Sequence, residues 1–145
     1  MAFRFTLEQV LRVRESLERR EELALQRAEA DVVRALRRIE ELTQELVRIN
    51  ARRDEAMKQP LHAYELQGMD AETHAALETR KSLLVTLQAL QHLRDEQRKV
   101  YQAAHNGRRM LTDLEEQHRN EYEQEQVRTQ QKRLDDLFAA RIQRD

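Results

Sequence analysis

Cysteine is absent from the 145 residues, and the chain holds one proline, two glycines, no tryptophan and only 4% aromatic residues. The first absence excludes disulfides and thiolate metal sites and fits a reducing compartment. With so little proline and glycine, almost nothing stops a helix. Bulky apolar material is short too. At 39% apolar against 37% charged, the chain cannot fill a compact core of usual thickness. A surplus of one charge is also missing, since 26 basic residues face 27 acidic ones and the two signs are interleaved. No basic face is left to gain from counterion release at phosphates, so nucleic acid is not an expected partner. No run of about 18 apolar residues exists to cross a bilayer. The opening Met1-Ala2-Phe3-Arg4-Phe5 leads into charge and not into an apolar signal-peptide core. A cytoplasmic location without direct membrane insertion is the expectation.

What the sequence does have is a seam. Leu25, Ala28, Val32, Ala35, Ile39, Leu42, Leu46 and Ile49 recur at alternating spacings of three and four. A stripe that narrow keeps facing a partner helix over many turns. Between Met57 and Asp70 the pattern lapses, around Pro60 and Gly68. Pro60 lacks an N–H and disfavours helical geometry in Gln59, which ends helix 1 near Lys58. Asp70 can accept backbone N–H groups as a cap, and Glu72 adds negative charge in the first turn. The expectation is one helical-hairpin domain over 1–145, with helix 1 at 5–58, a turn at 59–70 and helix 2 at 71–142. In helix 2, Leu83, Leu90, Gln97, Ala104, Leu111 and His118 form a seven-residue line, flanked by Leu87, Leu93, Val100, Tyr101, Leu114 and Tyr122.

Antiparallel partners across a hairpin have residue numbers of constant sum, and these seams meet at a sum of about 129. Leu46 then faces Leu83, Ile39 faces Leu90, Val32 faces Gln97 and Leu25 faces Ala104. Leu42 likewise faces Leu87, Leu11 faces His118 and Leu7 faces Tyr122. The fold class is therefore all-α, an elongated antiparallel two-helix coiled coil whose helices run to roughly 80 Å and 110 Å. Upstream of Leu25 the stripe continues as Val10, Val13, Leu17 and Ala24. The eleven-residue step from Leu17 to Ala28 is a stutter that unwinds the supercoil locally. Gly107 falls opposite it, as a tolerated close approach or a hinge in a helix 2 otherwise read as continuous. Beyond Tyr122 no helix 1 residue remains to pair, so residues 123–145 overhang, with Leu134, Leu137, Phe138 and Ile142 on one uncovered stripe. Near the hairpin tip, Val47, Leu84 and Val85 lie off the seam.

Chemistry is hard to place on such a chain. The five histidines at 62, 74, 92, 105 and 118 never form an i, i+4 pair, and no zinc-binding, phosphate-loop or nucleophile-elbow motif occurs. No catalytic residue, metal or cofactor is expected.

Both ends resemble the FliJ family of the bacterial flagellar export apparatus. The opening run Phe3-Arg4-Phe5-Thr6-Leu7-Glu8-Gln9-Val10-Leu11-Arg12-Val13-Arg14-Glu15 is similar to that family's start. Residues Arg128 to Arg141, a basic and Gln-rich stretch running into Asp135-Asp136, are similar to its end, with Asp136 where the family usually carries Glu. The resemblance implies a non-enzymatic type III export component: a stalk held in the hexameric export ATPase, promoting its assembly and linking it to the membrane export gate. It implies contact with export chaperones and a position at the cytoplasmic face of the inner membrane. On that reading Phe3, Phe5, Arg128, Lys132, Arg133, Leu134, Asp135, Asp136, Leu137 and Phe138 face the ATPase, and Val47, Leu84 and Val85 face the gate. The alternative is a scaffolding coiled coil of another system, including the stalk of a virulence-type secretion ATPase.

Overall fold

A computed structural model describes residues 2–144 and contains two α-helices, α1 (Glu8–Ala56) and α2 (Ala63–Ile142). They pack antiparallel as a helical hairpin. Helix α1 starts where the Glu8 N–H bonds the Phe5 carbonyl at 3.2 Å and the Leu11 N–H bonds that of Leu7 at 2.9 Å. Glu8 places negative charge in that first turn, where free N–H groups favour it. At the other end Met57 bonds back to Arg53, and Lys58 and Gln59 close tighter three-residue turns onto Glu55 and Ala56. Pro60 then prevents continuation.

Helix α2 begins at Ala63 and not at residue 71. The His62 carbonyl accepts the N–H groups of Glu65 at 3.1 Å and Leu66 at 3.3 Å, so Asp70 lies inside the helix and caps nothing. Gly68 was expected in the turn. In a helix it costs only about 1 kcal/mol, and the extra turns half-bury Leu66, Met69 and Thr73. They also set Arg53 3.2 Å from Asp70 and Arg52 3.0 Å from Glu72. Tertiary burial outweighs the local turn signal here.

The shorter turn moves the alignment of the helices by about six residues, close to one heptad. Phe5, not Leu11, meets His118, with ring centroids 5.8 Å apart, and Phe3, not Leu7, meets Tyr122 at 5.7 Å. The chain divides into two compact units, Glu21–Tyr101 and Met1–Arg20 with Gln102–Asp145. In the first, Val32, Ala35 and Leu87 form a buried cluster against which Ile39 and Leu90 pack, while Leu42, Ile49 and Ala76 are buried further along. Gln97 there donates to the Glu21 carboxylate at 2.6 Å and to its carbonyl at 3.2 Å. In the second, Phe5, Leu11 and Ala104 are buried.

The inner face of α2 differs from the expected one in composition. Leu93 and Val100, expected to flank the seam, are 61% and 47% exposed, while Arg80, Arg94 and Arg108 are half-buried at the heptad positions between apolar residues. An arginine stem can lie along apolar surface with its head at the edge. For Arg80 the fit is imperfect, since its Nε is buried without a hydrogen-bond partner. On α1, Val10 and Val13 are exposed and Leu11 is buried at 7%. The stripe upstream of the stutter is therefore set one residue off the expected one. Helix α2 continues through Gly107, where a Cβ would come within 3.5 Å of Arg14 Nη1. Gly107 thus faces Arg14, whereas the expected sum set it opposite Glu22.

Candidate interaction surfaces

In the unit of Met1–Arg20 with Gln102–Asp145, the side chains of α2 change character after Tyr122. Every described residue from Glu123 onward is exposed; Asp145, the last residue of the expected overhang, lies outside the described residues. Leu134, Leu137, Phe138 and Ile142 are 56%, 64%, 62% and 76% exposed. Their helical spacing gathers them on one face, where Leu134, Leu137, Phe138 and Arg141 line a shallow depression. Arg128, Lys132, Arg133, Asp135 and Asp136 are exposed along the same segment. A contiguous apolar stripe bordered by both charge signs is what a helix-docking partner needs.

The two N-terminal aromatics behave differently from that stripe. Phe5 is only 6% exposed and meets His118 edge-on, while half-buried Phe3 tilts against Tyr122 with the Arg119 guanidinium 5.7 Å from its ring centroid. Both were expected to face the ATPase, and both have aromatic partners within the chain. The reason is the alignment, which brings residues 3–5 level with the last helical turns that α1 can cover.

Further along the same unit sits a polar cluster that sequence reasoning did not single out. The Glu18 carboxylate accepts from Arg108 Nε at 2.5 Å and Nη2 at 3.3 Å, and pairs with His105 Nδ1 at 2.9 Å. Arg108 also reaches the Thr112 hydroxyl at 3.4 Å, and that hydroxyl donates to the Arg108 carbonyl. The Glu18 side chain is 16% exposed and that of Arg108 25%. The Arg108 hydrogen bonds, then those of His105, hold the Glu18 carboxyl below the usual carboxylate range against the opposing effect of burial. The signal was available in principle: arginines at 80, 94 and 108 repeat every second heptad on one line.

In the unit Glu21–Tyr101, the seam residues Val32 and Leu87 are buried, and Leu25, Ile39, Leu46, Leu83 and Leu90 are half-buried. Ala104, the remaining seam residue, is buried in the other unit. Val47, Leu84 and Val85 are 64%, 40% and 65% exposed. The Arg53–Asp70 pair fixes the alignment near them, and it sets Val47 about level with Leu77, itself 46% exposed. Leu84 lies about 10 Å further along α2 at the rise of an α-helix. The three residues do not form one patch, and Leu77 is the apolar neighbour that the sequence reading missed. At the tip, the rings of His62 and Tyr64 stack 5.3 Å apart, with Tyr64 69% and Met57 57% exposed.

Among the described residues no group of three or more His, Cys, Asp or Glu could hold a metal ion, and no helix is long and apolar enough to cross a membrane. Comparison with curated proteins and with solved structures gives no match. The family profile described as Flagellar FliJ protein matches residues 3–145. The chain therefore belongs to the FliJ family and is a non-enzymatic component of flagellar type III export.

Proposed function

We propose that this chain is the stalk of the export ATPase: its terminal end seats in the ATPase hexamer and favours its assembly, and the end near the hairpin turn meets the membrane export gate. The family membership supports the role, and the bare stripe Leu134, Leu137, Phe138 and Ile142 carries its assignment to the terminal end. Four large apolar side chains left in water by the fold release free energy once a partner covers them. The charges from Arg128 to Asp136 orient the encounter, and the apolar groups supply most of the affinity. Since Phe5 is already buried, the contribution of the N-terminus is to hold its own chain together, with only part of Phe3 left to touch a partner. Val47, Leu84 and Val85, joined by Leu77, are the gate-facing candidates, and export chaperones are further partners. The protein works in the cytoplasm against the inner membrane.

Binding to the purified export ATPase tests this reading. Lys132→Glu, Arg133→Glu and Phe138→Ala together should weaken binding at least tenfold with helicity unchanged, and Val47→Ala with Leu84→Ala should spare binding while lowering export in cells. Parental affinity in the terminal triple variant would overturn the assignment of that end.

A further inference from the structure

A heptad seam does not choose its own register. Sliding one helix by seven residues returns seam to seam, and the sum expected from the apolar pattern alone differs from the observed alignment by about one such step. Something besides apolar contact must choose between them. In the unit of Met1–Arg20 with Gln102–Asp145, the part-buried cluster of Glu18 with His105 and Arg108 is a polar feature that lacks that sevenfold degeneracy.

We infer that the Glu18–His105–Arg108 cluster is the register key of this unit: it fixes where α2 stops being covered by the N-terminal segment, and so where the exposed stripe begins. A slide of seven residues one way carries Glu18 from His105 and Arg108 to Thr112 and Glu115. Two carboxylates then meet in a half-buried layer, where like charges repel strongly. A slide the other way sets Arg108 against Leu11, which is 7% exposed, and strips the guanidinium of its acceptor. Both slides also part Phe5 from His118 and Phe3 from Tyr122. The observed alignment gives Glu18 both of its basic partners and Arg108 its acceptor, whereas each slide breaks the Glu18–Arg108 pair. A partly buried polar layer of this kind selects one state among near-equals at little gain in stability.

Since the chain has no cysteine, spin labels can be placed uniquely at Glu15→Cys and Glu125→Cys, both exposed and far apart along the helix axis. A slide of seven residues changes their separation by about 10 Å. The parent should give one distance population. Glu18→Leu with His105→Leu and Arg108→Leu should stay folded by circular dichroism, melt no lower than the parent, and show a second population displaced by about that amount. A single unshifted population in the all-leucine variant would overturn the inference. So would loss of its helicity, which would make the cluster a prop of the fold and not a selector of register.

Discussion

Arg108 grips Glu18 with two nitrogens, at 2.5 Å and 3.3 Å, from helices ninety positions apart in the chain. His105 shares the same carboxylate, so one acidic group on α1 holds two basic groups on α2.

This arrangement makes stability depend on pH in a definite direction. The Glu18 carboxyl titrates lower in the folded chain than in the unfolded one. The folded state then binds the proton less well, and the stabilisation is fully present above the unfolded glutamate value of about 4.3 and lost as pH falls through the folded value. Thermal melts between pH 7 and pH 3 should show a smaller acid-induced drop for Glu18→Gln than for the parent. Parallel curves would mean that the cluster contributes nothing in solution.

The apolar seam should dominate the cost of truncation. Leu42 is 3% exposed and Ile49 1%, so either one changed to Ala should lose about 2–4 kcal/mol in urea unfolding. Glu40→Ala, on the solvent face, should cost about 0.5 kcal/mol or less. Equal losses would misplace the core.

Phe5 and Phe138 should separate structure from recognition. Phe5→Ala removes a buried ring and should cost about 3 kcal/mol or more, while Phe138→Ala, at 62% exposure, should leave the melting temperature within about 1 °C of the parent. A matching loss for Phe138→Ala would show that the terminal stripe already has an intrachain partner.

Gly68 provides a test of where α2 begins. A Cβ there would meet nothing within 4 Å, and the residue sits five positions inside the helix. Gly68→Ala should raise stability by roughly 0.5–1 kcal/mol. If the segment were a turn, as its Pro60, Gly68 and Asp70 suggested, the change would be neutral or harmful.

Much of this was legible in the residues and some was not. The periodicity of Leu25 to Ile49 shows a long helix with a partner, and the lack of a matching α1 segment leaves Leu134 to Ile142 bare. Both depend on local spacing, which the sequence carries directly. The start of α2 was misplaced because Asp70 is a good cap in isolation, whereas Leu66 and Met69 gain burial only once α1 is beside them. That error passed into the alignment, since a seam repeating every seven residues fits equally well after a slip. The arginines at 80, 94 and 108 escaped notice because charge in a strip of sequence reads as solvent face, although their stems complete the line between Ala76, Leu83, Leu90 and Leu111. Phe5 was offered to a partner because its true neighbour, His118, lies more than a hundred residues away.

Hydrogen exchange on the full chain, alone and with the purified export ATPase, tests the central claim most directly. Backbone amides of residues 128–142 belong to a fully exposed stretch of α2 and should exchange fast in the free protein. On addition of the ATPase they should slow at least tenfold, with amides of residues 30–50 unchanged. Protection confined to residues 30–50, with 128–142 still exchanging at the free rate, would contradict the account.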